Sequence, residues 1–319
     1  MIDFRYHLVS LVAVFLALAV GVVLGAGPLR EAIGAGVTGQ TADLRQQVDD
    51  LTSQRDAAVA DRDAATAALD AAGAGLLDGA LPGYRVAVVT LGDVDGGTRA
   101  ALDERLTQAG AVVSAHAALA GAWTDPEQRS FRQGLTGYLL DYLDPVPPAA
   151  AGAEAELAQA LVQGLTAADP ADPDTPSEDA TLLLELLTTG ETPLVTLGAP
   201  VTAPADAVVV LATGATGDQD AATAALALLR SALDRARGAV LVEPAAGPGP
   251  LVAAVLADAG AGELATVSGA DGVVGQLATP LALAQRIAGT VGHYGTGTGL
   301  SPIPPRTALG PPDRAPAAP

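Results

Sequence analysis

The longest uninterrupted apolar segment of this chain lies close to its amino terminus. Residues 8–27 read LVSLVAVFLALAVGVVLGAG and carry no charge, with Ser10 as their only side-chain hydroxyl. At about 1.5 Å of rise per residue, such a run crosses the roughly 30 Å apolar core of a bilayer. The pattern predicts a transmembrane helix over residues 8–29, preceded by a short N-terminal tail of residues 1–7.

A cleaved signal peptide is the alternative interpretation of this segment, because small residues follow it at Gly25–Gly27. The apolar core of a signal peptide spans about 7–15 residues and follows a positively charged region. Here the run is longer, and Arg5 is the only basic residue before it. We therefore expect a retained anchor. The few charges flanking it do not decide its orientation in the membrane.

Small residues recur every four positions along the predicted membrane helix, at Ala17, Gly21 and Gly25. This spacing places them on one face, and small side chains let two membrane helices approach closely. The anchor is therefore expected to present a dimerisation face.

Heptad spacing follows the anchor. Residues 40–72 contain neither glycine nor proline, and apolar residues recur there at alternating intervals of three and four. The predicted seam consists of Leu44, Val48, Leu51, Ala58, Ala65 and Leu69. Arg55 and Arg62 share the same spacing and weaken it. The pattern predicts a short parallel coiled coil over residues 40–73, with a single helix packed on its own domain as the alternative. The glycines of residues 34–39 predict a flexible break before it.

Beyond residue 80, short β-branched runs alternate with helix-forming segments. The predicted strands are Arg85–Leu91, Ala111–Ala117, Leu194–Leu197, Ala207–Ala212, Ala239–Glu243 and a short one near Thr266. The predicted helices cover residues 98–108, 125–143, 152–166, 178–189, 219–237, 250–259 and 279–288. Such alternation predicts a mostly parallel, Rossmann-like or flavodoxin-like α/β domain over residues 82–299. It would carry a Pro/Asp-rich insert at residues 144–179 and be followed by a disordered Pro-rich tail at residues 300–319.

Composition narrows the classes of function. The formal net charge is −20, all 16 basic residues are arginine, and cysteine is absent. An acidic surface repels phosphate backbones, so nucleic-acid binding is not expected. Without cysteine, the chain has no disulfides, thiolate nucleophiles or thiolate metal ligands.

One segment resembles a catalytic motif. Residues 93–98 read DVDGGT directly after a predicted strand, and they are similar to the DxDGT signature of haloacid-dehalogenase-like phosphatases. In that signature, the first aspartate attacks phosphorus and the second acts as an acid. The spacing departs by one glycine, and the lysine that the family requires is missing from a chain without lysine. A degenerate phosphatase is therefore a minor alternative, and a turn with a helix cap explains the same residues.

Other candidate motifs favour simple structural roles. The loop ATGATG at residues 212–217 lacks the lysine and spacing of a P-loop. The carboxylates of residues 169–179 do not follow EF-hand spacing, and they are interleaved with prolines. The three histidines His7, His116 and His293 are far apart in the sequence. The residues themselves therefore predict no catalytic, cofactor-binding or metal site.

Two end segments together resemble one family. The N-terminal FRYHLVSLVAVFLALAVGVVLGAG and the C-terminal GHYGTGTG are similar to the ends of the mycobacterial copper transport protein B (MctB) family. The order of anchor, heptad segment with LTSQRDA, α/β domain and YGTG segment also agrees over nearly the whole chain. The motif residues are Phe4, Arg5, Tyr6, His7, Gly292, His293, Tyr294, Gly295, Thr296 and Gly297.

The resemblance implies a single-pass protein of the actinobacterial cell envelope, with most of the chain outside the cytoplasm. It implies a role in copper transport or homeostasis, with copper as cargo. Some relatives are similar to the cell-separation factor SteB, which implies an alternative role as an envelope scaffold. Its membrane partner would carry a thiamine-pyrophosphokinase-like domain.

The residues fit poorly with direct copper coordination. Cu(I) favours thiolate and thioether ligands, and imidazole also suits copper. Here cysteine is absent, Met1 is the only methionine, and the histidines are scattered. One membrane helix cannot form a pore alone. We therefore expect a non-catalytic homodimeric component rather than a self-contained channel.

Overall fold

The computed structural model describes residues 4–26, 28–148, 150–214, 218–257, 261–297 and 299–314. The chain divides into two compact units, Met1–Ala67 and Ala68–Pro319, and each is described by itself. The second unit is a mixed α/β domain, and the prediction of fold class is confirmed.

Two helices occupy the N-terminal part of the chain. Helix α1 covers Phe4–Ala26 and helix α2 covers Pro28–Leu77. Proline suits the first position of a helix because its φ is already helical and the N–H it lacks would have no partner there. Pro28 therefore ends the predicted anchor segment and starts the next helix.

The flexible break expected over residues 34–39 is wrong, because α2 continues through this segment. Each glycine inside a helix costs only about 1 kcal/mol relative to alanine, and no proline interrupts the hydrogen bonds here. A helix of 50 residues tolerates these local costs.

A seven-stranded sheet forms the centre of the second unit. Its strands are β1 Arg85–Leu91, β2 Val112–Leu119, β3 Val195–Leu197, β4 Ala207–Ala212, β5 Gly238–Glu243, β6 Thr266–Ser268 and β7 His293–Gly295. They lie in the order β3-β2-β1-β4-β5-β6-β7. Only β3 runs antiparallel to its neighbour, and the other pairs are parallel. The six parallel strands follow the order of flavodoxin-like folds, and the antiparallel β3 adds an edge strand beside β2.

Seven helices surround this sheet among the described residues. They are α3 Gly96–Gln108, α4 Arg129–Leu139, α5 Ala153–Thr166, α6 Glu178–Thr188, α7 Gln219–Arg235, α8 Pro250–Ala257 and α9 Val273–Ile287. Short 3-10 segments flank α4 at Pro126–Gln128 and Leu140–Tyr142, where a single helix over 125–143 was predicted. Helix α9 starts six residues before the predicted position and contains Pro280.

The hydrophobic core has two layers, one on each face of the sheet. Val89 and Val210 belong to the layer under α5 and α7, whereas Val88 and Val209 belong to the layer under α3 and α9. Successive strand residues point to opposite faces, and a parallel sheet is covered on both. This explains why β4 is buried along its whole length.

The segment predicted as a Pro/Asp-rich insert contributes to the core. Helix α5 lies within it, and Leu157, Leu161 and Leu165 on that helix are fully buried. Their spacing of four residues places them along one helix face. The insert is therefore a structural part of the domain.

The disordered tail expected after residue 299 is also wrong for residues 300–314. The side-chain amide of Gln285 donates to the carbonyl of Pro305 at 2.7 Å, and Arg314 contacts the carboxylate of Asp206 at 2.5 Å. Pro304 is buried. Tertiary contacts hold this segment even though it has no regular secondary structure.

Candidate functional site

Helix α1 has the properties of a membrane span. Its segment Arg5–Val23 is 19 residues long, strongly apolar and exposed along its whole length. Nineteen residues reach about 28 Å, which matches the apolar core of a bilayer. Among the described residues, it is the one helix long and apolar enough to cross a membrane. The family-motif residues Arg5, Tyr6 and His7 lie in its first turns.

The predicted small-residue face lies on this helix. Ala17, Gly21 and Gly25 all fall within α1. A Cβ added at Gly21 would meet no atom within 4 Å. The face is therefore open to a second helix, and its pairing stays a prediction.

The predicted heptad seam is exposed along most of α2. Leu44, Val48 and Leu51 retain 60%, 59% and 64% of their accessible surface. Ala58 and Ala65 are also exposed. Apolar side chains aligned on an exposed helix face are typical of a surface that packs against another helix. The helix is present, and the coiled coil stays a prediction.

The two arginines of the seam, Arg55 and Arg62, form ion pairs with neighbouring residues of their own helix. Arg55 donates to Asp56 at 2.9 and 2.6 Å, and Arg62 donates to Asp63 at 3.0 and 2.7 Å. These ion pairs are about two-thirds exposed, so each contributes little to stability. The two guanidinium groups lie where a tight coil would need apolar contact.

The last seam residue packs against the α/β domain. Leu69 is half-buried and lies against the core layer under α3 and α9. One turn later, a Cβ added at Gly73 would lie 2.7 Å from a methyl group of Leu277. Asp70 pairs with Arg105 beside them. The end of α2 therefore belongs to its own domain, as the single-helix alternative expected.

A crevice lies at the carboxyl ends of β1, β2 and β4. Its volume is about 340 Å³, and its lining includes Gly92, Asp93, Gly121, Thr124 and Thr213. The chain leaves β1 for β2 on one side and returns to β4 on the other, so this is the topological switch point where doubly wound folds bind ligands. It is the natural place to look for a nucleotide site.

Carboxylates of the chain itself occupy the helix starts at this edge of the sheet. Asp95 accepts two backbone N–H groups at the start of α3, at 2.7 and 3.1 Å. Asp218 accepts one at the start of α7, at 2.9 Å. Glu243 accepts two at the start of α8, at 3.0 and 2.8 Å. Phosphate groups bind at such N-termini, and here internal anions take the same donors. At these three helix starts, the N–H donors that could bind a phosphate already have acceptors within the chain.

Glu243 is the most deeply buried of these three caps, with 3% of its surface exposed. Burial raises the pKa of its carboxyl group, and the N–H groups of Val252, Leu251 and Gly249 oppose that rise. Sequence reasoning placed Glu243 only as the last residue of a strand. A single acid at the end of the apolar run AVLVE was the signal that could have drawn attention to it.

The phosphatase-like segment acts as a helix cap. Asp95, the second aspartate of the motif, is engaged at the start of α3, as the turn interpretation expected. Thr98 donates its hydroxyl to Asp271 at 2.7 Å. A Cβ added at Gly92 would lie 2.5 Å from the carbonyl oxygen of Thr213, so this loop packs tightly against the residue that follows β4.

The histidines lie in three separate places. His7 lies on α1. The Nε2 atom of His116 lies 3.0 Å from the carboxylate of Asp103. The Nδ1 atom of His293 lies 3.0 Å from the hydroxyl of Thr266, and burial lowers the pKa of its imidazole. Among the described residues, no three His, Cys, Asp or Glu side chains form a group that could hold a metal ion.

The acidic loop of residues 169–179 is compact rather than a free linker. Asp172 accepts the hydroxyl of Thr175 at 2.7 Å and the N–H of Asp174 at 3.1 Å, and both bonds lower the pKa of Asp172. Asp174 also pairs with Arg85 at the start of β1. The carboxylates of Asp172 and Asp174 thus bind groups of the fold itself.

The C-terminal family motif forms the edge strand β7 and the loop after it. Gly295 has φ +115°, and a Cβ added there would lie 2.0 Å from the carbonyl oxygen of Ser268. The ring of Tyr294 covers Gly292, whose added Cβ would lie 2.2 Å from the phenol oxygen. Only glycine fits such positions. These motif residues therefore close the sheet edge, and Thr296 and Gly297 lie in the loop that follows.

The chain is similar to known proteins over most of its length. A family model described as "Copper transport outer membrane protein, MctB" matches residues 1–305. The copper transporter MctB of Mycobacterium bovis is 31% identical over 317 residues, which cover 95% of this chain and 99% of the relative. The copper transporter MctB of Mycobacterium tuberculosis gives the same identity and coverage.

Proposed function

Because this chain belongs to the MctB copper transport family, we propose that it acts in copper transport across the cell envelope as a membrane-anchored dimer without catalytic activity. The family match over residues 1–305 is the observation that carries the proposal, since it includes both the anchor and the α/β domain. Copper is the cargo of this process rather than a resident cofactor.

The anchor defines the topology that we propose. Helix α1 crosses the membrane once, and the α/β domain lies outside the cytoplasm. The two charges up to residue 27, Asp3 and Arg5, cancel, so the net charge of −20 belongs to the part beyond the anchor. An acidic domain avoids anionic headgroups and attracts cations to its surface, which suits a protein that handles a metal cation.

The dimer is proposed from two faces that follow each other along the chain. The small-residue face of α1 and the exposed seam of α2 both offer helix-packing surfaces. One membrane helix cannot enclose a pathway, so transport by this protein requires further subunits. The α/β domain contributes through protein contacts, since the starts of α3, α7 and α8 at the carboxyl edge of its sheet already carry carboxylate caps.

Copper tolerance tests the proposal directly. A mycobacterial strain that lacks its own family member would be complemented with the wild-type chain or with a form that lacks α1. We expect copper sensitivity on deletion, rescue by the wild-type chain, and no rescue without α1. Unchanged copper tolerance after deletion would contradict the proposed role.

A second candidate function is an envelope scaffold for cell separation. The observation that favours it is that the described residues hold no group of three metal-binding side chains, which leaves protein contacts as the main activity of the domain. The same strains would be scored for septation by microscopy. Chained, unseparated cells with normal copper tolerance would support the scaffold and its partner with a thiamine-pyrophosphokinase-like domain.

A further inference from the structure

Residues 300–314 form an extended segment that crosses the domain, and we define them as the C-terminal strap. It starts beside β7, where the N–H of Gly295 donates to the carbonyl of Ser301 at 2.9 Å. Its apolar residues Ile303 and Leu309 then pack against the core layer under α3 and α9. The strap is therefore bound along its length and not only at its end.

Two arginines of the strap bind the segment that links α2 to β1. Arg306 donates to the carbonyl of Asp78, one residue after the end of α2. Arg314 donates to the carbonyl of Gly83 at 2.7 Å, two residues before β1. The linker of residues 78–84 is thus held at both of its ends by side chains of the strap.

An ion pair with Asp206 accompanies the contact between Arg314 and the linker. Its carboxylate accepts Arg314 at 2.5 Å and the N–H of Arg85 at 2.7 Å, and Arg237 lies 4.0 Å away. Its side chain is only 10% exposed. Hydrogen bonds to a charged, poorly hydrated group are stronger than neutral surface contacts, and losing a partner leaves the charge undercompensated. Arg237 also donates to the carbonyl of Asp313.

The core and the loop before β2 restrain the middle of the linker, where Leu81 and Gly83 donate backbone N–H groups to the carbonyls of Ala109 and Gly110, both at 2.8 Å. Residues 77, 80 and 81 are buried in the core, whereas Asp78 and Gly83 are exposed. Gly79 and Gly83 have φ of +66° and +71°, so glycine shapes the turn. The strap therefore binds the part of the linker that the core does not cover.

The family match ends at residue 305, immediately before Arg306. Both arginine anchors lie beyond that boundary.

We propose that the strap is a clamp, in which residues 306–314 hold the linker of residues 78–84 against the sheet. Its release loosens the connection between α2 and β1 while the sheet stays folded. The clamp thereby couples residues 306–314 to the segment that connects the end of α2 to β1. It is independent of the proposed role in copper transport, because it concerns contacts within one chain.

Hydrogen exchange of the full chain in detergent tests the clamp. Two variants release it, truncation after residue 305 and R314Q, and R99Q serves as the matched control at an exposed arginine of α3. We expect exchange in residues 78–85 to accelerate about tenfold or more in both release variants, with β4 and β5 unchanged.

Two results would overturn the proposal. Exchange in residues 78–85 that matches the R99Q control would show that the strap does not restrain the linker. Equal acceleration across β4 and β5 would show that the strap stabilises the whole domain rather than one joint. Because R314Q keeps the rest of the strap, it separates the ionic anchor from the loss of apolar packing.

Discussion

The charged positions of the α2 seam allow a quantitative test of the proposed dimer. R55L together with R62L would place leucine at two further positions of the seam that contains Leu44 and Leu51. In a parallel coil, the double variant places four additional leucines in the interface. We expect it to dimerise more tightly than the wild-type chain.

The magnitude follows from the exposure of a seam leucine. Full burial of a leucine side chain contributes about 1.5–3 kcal/mol, and Leu51 has 64% of its surface still to bury. Each new leucine therefore contributes about 1 kcal/mol, and four contribute about 4 kcal/mol. At about 1.4 kcal/mol per factor of ten, dimerisation should strengthen by about a thousandfold. The gain in dimer stability is larger still, because the variant no longer has to desolvate the guanidinium groups in the interface.

Sedimentation equilibrium measures the effect on a soluble form that begins at Gln40. The matched control is Q46L with S53L, which adds the same number of leucines on the opposite side of the helix from the seam. The reasoning is refuted if the seam variant does not dimerise more tightly, or if the control variant gains as much.

Three further predictions concern α1, the motif loop and the buried cap. Replacing Gly21 and Gly25 by leucine should weaken self-association in a membrane two-hybrid assay, and unchanged association would reject the small-residue face. Gly295→Ala should lower the free energy of unfolding by about 3 kcal/mol or more, because its Cβ overlaps a carbonyl oxygen. Gly299 also has a positive φ of +84°, but a Cβ added there would meet no atom within 4 Å. Gly299→Ala should therefore lower the free energy of unfolding by only about 1–2 kcal/mol, with both variants measured by urea titration. Burial raises the pKa of Glu243 above its ordinary value of 4.5, so the folded state binds its proton more tightly, and stability falls as pH rises above 4.5. E243Q should therefore become more stable relative to wild type as the pH rises above 4.5, and a constant difference would contradict this sign.

The strands were predictable because buried strands consist of short runs of apolar residues. Arg85–Leu91 and Ala207–Ala212 have the predicted bounds, since both lie near the centre of a sheet covered on two faces. Strand β7 was not predicted, because His293, Tyr294 and Gly295 have no strand pattern. It forms through pairing with β6 and through the bridge to Ser301. Edge elements made by tertiary contacts leave little signal in sequence.

Helix starts that depend on tertiary contacts are also hard to predict from sequence. The last helix was predicted to start at residue 279, which would place Pro280 in its first turn, yet α9 begins at Val273. Its first turns pack so closely that a Cβ added at Gly275 would lie 2.4 Å from the backbone of Gly269. Tertiary packing overrides the local preference of proline here.

The candidate site was only partly accessible from sequence. The anchor and the heptad seam are periodic patterns within one helix, so spacing alone indicates them. The pairing of His116 with Asp103 and the capping of α8 by Glu243 join residues from different elements. Such contacts depend on the path of the chain between them, which local patterns do not describe.

The capped helix starts have a consequence for how the domain depends on its surroundings. Asp95, Asp218 and Glu243 are covalent parts of the chain, so these N–H groups keep their acceptors whatever small anions surround the domain. The starts of α3, α7 and α8 are therefore stabilised without a bound anion.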